Sequence, residues 1–123
     1  MTSTFTFGDT TIRLKFSLGA WEKMHKEVCP LDEFFDMYDS RNRAKLLSWE
    51  TMKKTLQIAC ILAWAAGGQP EVTYDQLRGC LSPAEALDLR NTIIDLVSKS
   101  MIAENKGKSG PRDLVLEELE GKN

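Results

Sequence analysis

Hydrophobic and polar side chains alternate along residues 4–7 and 11–16. This period of two is typical of half-buried β-strands. Gly8-Asp9 separates the two runs and is a turn candidate, and a two-residue turn would pair Phe5 with Ile12. The register places four apolar side chains on one face of a β-hairpin: Phe5, Phe7, Ile12 and Leu14. An isolated hairpin is marginal in water, so we expect this face to pack on helices, while the outer edges of the hairpin stay open to added strands.

The second predicted strand leads directly into a capped helix. Ser17 provides a hydroxyl that can accept a hydrogen bond from the first turn of a helix. Phe16 precedes this cap and Trp21 occupies the fourth helical position, the two places that form a hydrophobic staple. The helix carries an apolar stripe that we expect to face inward: Leu18, Trp21, Met24 and Val28. Pro30 marks its end.

Helical periodicity continues after Pro30. A short helix is predicted by apolar residues spaced at i, i+3, i+4 and i+7: Leu31, Phe34, Phe35 and Tyr38. A long helix is predicted over residues 44–66, with inward positions repeating in heptad fashion: Trp49, Met52, Leu56, Ala59, Ala63 and Ala66. From Ile58 onward the segment is apolar all round, which indicates a central, fully buried helix that ends at Gly67-Gly68.

Two capping boxes predict the last helices. Thr73 and Gln76 start a short helix through Leu77. Ser82 and Glu85, with proline at the first helical position, start a final helix that runs to about residue 103.

We therefore predict an α+β, mostly α-helical fold, in which an N-terminal β-hairpin packs on a bundle of four to five helices. Residues 1–104 are expected to form a single globular domain. Lysine, glycine, serine and proline dominate residues 106–111, which predicts a linker. We therefore expect residues 105–123 to form a flexible C-terminal tail that ends in an acidic amphipathic segment.

Composition narrows the functional classes. The 123 residues are 42% hydrophobic and 28% charged with a net charge of -2, which argues against nucleic-acid binding because no excess of basic residues is present. The longest uncharged apolar run, residues 58–66, is far shorter than the ~20 residues that span a bilayer. The first residues show no basic leader, so we expect no signal peptide and no membrane association. Three widely spaced cysteines indicate buried free thiols in a reducing cytoplasm.

The sequence contains few combinations of residues that could form a catalytic or metal-binding site. His25 and Cys29 lie four residues apart and could form half of a metal site, but zinc needs two further ligands. A thiol enzyme using Cys29 with His25 is the enzymatic alternative, and nothing identifies a third group to support it. We expect no metal, no cofactor and no catalytic residue.

Candidate partner-binding residues are the three tryptophans and two leucines of the tail: Trp21, Trp49, Trp64, Leu116 and Leu119. Packing in the core is the default for the tryptophans. Tryptophan is also strongly enriched at interface hot spots, so one of them could line an exposed apolar groove. The tail segment could be a frayed terminus or could fold on docking.

These elements together resemble the tail assembly chaperones of long-tailed (siphovirus-type) bacteriophages and prophages. The resemblance covers residues 12–103 and is carried by the order of elements and by short fragments: Phe16-Ser17-Leu18-Gly19-Ala20-Trp21-Glu22-Lys23-Met24, Leu31-Asp32-Glu33-Phe34-Phe35, Ala63-Trp64-Ala65-Ala66 and Val72-Thr73-Tyr74-Asp75-Gln76-Leu77.

The resemblance implies a non-enzymatic protein that binds the tape-measure protein and recruits tail-tube subunits during tail assembly. Such a protein acts in the cytoplasm of the bacterial host and is absent from the mature virion. A homo-oligomer is possible because the hairpin edges are open. The alternative is another small phage structural or interaction module, such as a neck or head–tail joining protein.

Overall fold

A computed structural model describes residues 1–102, and it places two strands before six helices in that range. The elements are β1 Thr2–Phe7, β2 Thr10–Lys15, α1 Leu18–Glu27, α2 Leu31–Met37, α3 Arg43–Leu46, α4 Trp49–Ala66, α5 Tyr74–Cys80 and α6 Pro83–Ile102. The predicted α+β, mostly helical class is confirmed. The predicted tail, residues 105–123, lies outside the described residues.

The hairpin has the predicted register. β1 and β2 are antiparallel, with Phe5 opposite Ile12 and Phe7 opposite Thr10. Gly8 in the turn has a φ of 56°, a left-handed conformation that glycine adopts without a steric cost. The apolar face is buried as predicted: Phe5, Phe7, Ile12 and Leu14. β2 contacts α4 and β1 contacts α6, so the hairpin covers two helices and gains the support that an isolated hairpin lacks.

The junction between β2 and α1 is capped as predicted. The Ser17 hydroxyl accepts a hydrogen bond from the Ala20 N–H at 3.2 Å, and the rings of Phe16 and Trp21 stack with centroids 6.2 Å apart. The inward position predicted for Leu18 is wrong, because its side chain is 79% exposed. The buried face of α1 contains Ala20, and at about 100° per residue Leu18 lies on the opposite side of the helix.

α2 buries a face that differs from the predicted stripe. Phe34 and Met37 are buried, whereas Phe35, predicted to face inward, is 38% exposed. Phe35 lies about 200° around the helix from Met37, so one face cannot bury both.

The predicted helix over residues 44–66 is broken in the structure. Ser48 has an extended backbone (φ -77°, ψ 152°), and its hydroxyl accepts a hydrogen bond from the Thr51 N–H at 3.2 Å. A serine N-cap satisfies an otherwise unpaired helix donor, which explains why the chain starts a new helix here. Trp49 therefore occupies the first position of α4 and is 54% exposed, so its predicted inward position is wrong.

Two threonines take the inward positions at the start of α4. Thr51 and Thr55 are buried, and the Thr55 hydroxyl donates to the Thr51 carbonyl at 2.8 Å. The Tyr38 hydroxyl also bonds to Thr55, so this buried polar group is satisfied. Burial raises the pKa of Tyr38 to about 12, and the tyrosine therefore stays protonated.

The second half of α4 is the central helix of the fold. Its buried residues include Ile58, Ala59, Ile61, Leu62 and Ala63, as the apolar run predicted. The prediction that this half is buried on all sides is wrong, because Trp64 is 59% exposed. α4 ends at Gly67 and Gly68, both with φ near 67°. The Arg13 guanidinium donates at 2.8 Å to the carbonyl oxygens of both glycines, which ties the hairpin to the end of α4.

Both predicted capping boxes begin helices. The Ser82 hydroxyl accepts from the Glu85 N–H at 3.1 Å, and the Glu85 carboxylate accepts from the Ser82 N–H at 2.9 Å. The Thr73 hydroxyl accepts from the Gln76 N–H at 3.1 Å, but within residues 1–102 no hydrogen bond joins the Gln76 side chain to the Thr73 N–H, so only half of this predicted box forms. α5 extends beyond the predicted end at Leu77 to Cys80.

Candidate partner-binding site

The three tryptophans lie in different environments. Trp21 is half-buried against the core through its stack on Phe16. Trp49 and Trp64 are 54% and 59% exposed at opposite ends of α4. With a rise of ~1.5 Å per residue, the two are roughly 22 Å apart along the helix axis and cannot share one small site. Leu116 and Leu119 lie outside the described residues.

An open cleft of about 700 Å³ lies beside Trp64. Its walls come from α1, from the second half of α4, and from the segment of residues 67–74 that leads into α5. The apolar part of the lining consists of Val28, Cys60, Ile61, Ala63, Trp64, Pro70, Val72 and Tyr74. Most of these side chains also belong to the core or pack against it. The cleft is therefore an opening onto the hydrophobic interior.

Charged side chains surround this apolar lining. Lys23, Glu27 and Glu71 border the cleft. The Lys23 ammonium donates to the Glu27 carboxylate at 2.7 Å and lies 5.1 Å from the centroid of the Trp64 ring. The ammonium is attracted to the face of the indole, which favours one orientation of Trp64 at the mouth of the cleft.

The cleft wall formed by residues 67–74 is held in place by hydrogen bonds to two other parts of the chain. The Gln69 side-chain amide donates to the carbonyl oxygens of Arg13 and Ala63 at 2.9 and 3.0 Å. Its carbonyl oxygen accepts from the Arg13 N–H at 2.9 Å. A single side chain thus connects β2 to the last turn of α4, and the residues that follow, 70–74, line the cleft.

Sequence reasoning identified Trp64 as a candidate but missed the rest of the lining. Val28, Cys60 and Val72 have ordinary core character, and nothing local distinguishes a side chain at a cleft from one beneath a packed helix. The available signal was the coincidence of a tryptophan with the end of the most apolar helix, next to a Gly-Gly turn.

The thiols have contrasting surroundings. Cys29 is buried, Cys60 is half-buried in the cleft, and Cys80 is exposed at the last residue of α5. The prediction of three buried thiols is therefore confirmed for Cys29, is wrong for Cys80 and holds only in part for Cys60. α1 ends at Glu27, so Cys29 follows the helix instead of lying on one helical face with the exposed His25.

Cys29 lacks the setting of an activated nucleophile. Burial and the carboxylate of Glu33 raise the pKa of the Cys29 thiol to about 11, so the thiol is protonated at neutral pH. A catalytic cysteine needs the opposite shift, which disfavours the thiol-enzyme alternative. Within residues 1–102, no group of three histidine, cysteine or acidic side chains is arranged to hold a metal ion.

The pKa of the Cys60 thiol is also raised, and its reactivity can be used to probe the cleft that it lines. Burial and the negative charge of Glu71 raise the pKa of the Cys60 thiol to about 11. In a variant with Cys29→Ser and Cys80→Ser, we expect the rate of iodoacetamide alkylation to rise about tenfold per pH unit from pH 8 to 10, because only the thiolate reacts. A rate that levels off near pH 9 would contradict this prediction. Circular dichroism at each pH provides the control for folding.

Comparison of this chain with protein-family models, with curated proteins and with solved structures finds no match. Of the helices within residues 1–102, none has the length and apolar character needed to cross a membrane.

Proposed function

We propose that this protein is a non-enzymatic assembly chaperone that holds an apolar helical segment of a partner in the cleft beside Trp64. The observation that carries the proposal is the exposure of 59% of a tryptophan side chain on the most apolar helix, at the mouth of an open cleft. Exposed tryptophan beside an apolar pocket is the usual composition of a binding hot spot.

The apolar lining and the charged border of the cleft suit an amphipathic helix. Its volume of about 700 Å³ lies within the range of sites that bury a substantial ligand group. A helix presents apolar side chains at i, i+3, i+4 and i+7, and the apolar lining can accept such a row. Lys23 and Glu71 on the border can pair with polar groups of the helix beside that row. Because these border groups stay in contact with water, the complex remains hydrated and binding stays reversible.

The client that best fits this chemistry is the tape-measure protein of a long-tailed bacteriophage. The resemblance of residues 12–103 to tail assembly chaperones supports this assignment. A tape-measure chain exposes long apolar helices until the tail tube encloses them, and it needs a partner that covers them temporarily. We infer that the protein also recruits tail-tube subunits to this complex, acts in the cytoplasm of the bacterial host and leaves before the virion matures.

Co-expression with a tape-measure protein of a long-tailed bacteriophage tests this proposal. We expect the tape-measure protein to be soluble and to co-purify with this chain, and to aggregate when expressed alone. Mass spectrometry of purified particles should detect the tail-tube protein but not this chain. Stoichiometric presence in the particles would contradict the chaperone function and favour the alternative of a neck or head–tail joining protein.

A further inference from the structure

The two outer edges of the hairpin differ. On the β2 edge, the Gln69 side-chain amide bonds to both the N–H and the C=O of Arg13, each at 2.9 Å. This amide occupies the place of a residue in a neighbouring strand. The expectation that both hairpin edges are open is therefore wrong for β2, because its outward groups at Arg13 are already paired.

The alternation of an antiparallel ladder identifies the exposed groups on the β1 edge. Arg13 is opposite Thr4, and the backbone groups of Arg13 point away from β1 to meet Gln69. Opposed residues share this orientation, so the N–H and C=O of Thr4 point outward on β1, as do those of Thr2 and Thr6. Within residues 1–102, no hydrogen-bond partner is found for these outward groups.

β1 also lacks the features that normally prevent strands from pairing at an edge. Its sequence, TSTFTF, contains no charged residue and no proline. The ladder between β1 and β2 is continuous, so no bulge turns the edge away. In contrast, β2 carries Arg13 and Lys15 in addition to the Gln69 amide. Thr2, Thr4 and Thr6 are all exposed.

We propose that the β1 edge pairs antiparallel with β1 of a second copy of this chain, across a two-fold axis at Thr4. In this register Thr4 faces the partner's Thr4, Thr2 faces the partner's Thr6, and the two hairpins form a four-stranded sheet. The strand is uncharged, so self-pairing brings no like charges together, and cross-strand threonine pairs are favourable. The same patch serves both copies, as two-fold symmetry requires. The dimer goes beyond the proposed function and does not depend on a client.

Sedimentation of the full chain tests the dimer. From about 1 µM to about 1 mM, we expect the mass to rise from the monomer value of 13.9 kDa toward twice that value. Thr4→Lys and Thr4→Glu should each remain monomeric, because like charges face each other at the axis. An equimolar mixture of the two variants should regain the doubled mass, because lysine then faces glutamate. Thr4 is exposed but lies opposite Arg13 within the same hairpin, so Thr4→Lys also adds a repulsion inside the monomer and Thr4→Glu adds an attraction. Thermal melts check that both variants fold.

Thr11→Lys is the matched control. Thr11 is an exposed threonine at an outward position of β2, directly opposite Thr6. This variant should dimerise as the unmodified chain does. Three results would overturn the proposal: a monomer throughout the concentration range, a dimer of Thr4→Lys alone, or equal losses from Thr4→Lys and Thr11→Lys. Since the readout is mass and not client capture, these results leave the proposed chaperone function untouched.

Discussion

Replacing Trp64 with alanine is expected to remove most of the affinity for the proposed client and leave the fold intact. The side chain is 59% exposed and borders the apolar cleft, where a bound helix would cover it. Truncation of a hot-spot tryptophan costs about 2 kcal/mol or more, which corresponds to an increase in Kd of about thirtyfold. The free energy of unfolding should fall by less than ~1 kcal/mol, since the main intramolecular loss is the cation–π contact with Lys23.

Trp49→Ala provides the matched control for this prediction. Trp49 has the same side chain, lies on the same helix and is 54% exposed, but it does not border the cleft. Binding of a fluorescently labelled tape-measure segment, measured by anisotropy, should be weakened by Trp64→Ala and unchanged by Trp49→Ala. Equal losses from both variants would place the client elsewhere, and no loss from either would argue against a tryptophan-centred site.

Phe34→Ala should cause a large loss of stability without touching the cleft. Phe34 is completely buried, and its ring makes edge contacts with Phe35 and Tyr38 at centroid distances of 5.1 and 4.9 Å. Removing a buried phenylalanine costs about 3–5 kcal/mol, from lost burial and from the cavity left behind. Such a loss is a large fraction of the roughly 5–15 kcal/mol that stabilises a typical domain.

Phe35→Ala is the matched control, because it removes the same side chain from an exposed position. The two phenylalanines are neighbours on α2, but Phe35 is 38% exposed. Its replacement should cost clearly less than that of Phe34. Urea unfolding followed by tryptophan fluorescence measures both values. If Phe35→Ala destabilised the protein as much as Phe34→Ala, the assignment of the buried face of α2 would be wrong.

Local patterns predicted the elements at the two ends of the described chain well. The register that places Phe5 opposite Ile12 follows from a two-residue turn between alternating runs. The Ser17 and Ser82 caps follow from hydroxyls placed just before helical periodicity. Each of these features depends only on residues close in sequence, so the local sequence is sufficient to predict it.

Predictions of burial failed where a second element decides which face is covered. Leu18, Phe35 and Trp49 match helical periodicity but are exposed. Thr55 is polar but completely buried, because Tyr38 on another helix supplies a hydrogen-bond partner. The break at Ser48 could not be predicted from local sequence either. A serine within a periodic run is compatible with a continuous helix or with the cap of a new one.

From the sequence, only one residue of the candidate site, Trp64, could be predicted. Trp64 was a candidate because tryptophan is enriched at interface hot spots, whereas its place on an apolar helix favoured packing in the core. The cleft itself joins α1, α4 and residues 67–74, and no local pattern reports how these segments meet.

Hairpin register, helix caps and the mostly helical class were determined by the sequence alone, because hydrogen bonds and periodicity among near neighbours specify them. The tertiary structure decided that Trp64 borders a cleft, that Gln69 occupies one hairpin edge and that, within residues 1–102, no backbone partner pairs with the β1 edge. These features arise from contacts between residues far apart in the chain, such as Arg13 with Gln69. The geometry of such contacts exists only once the elements have packed.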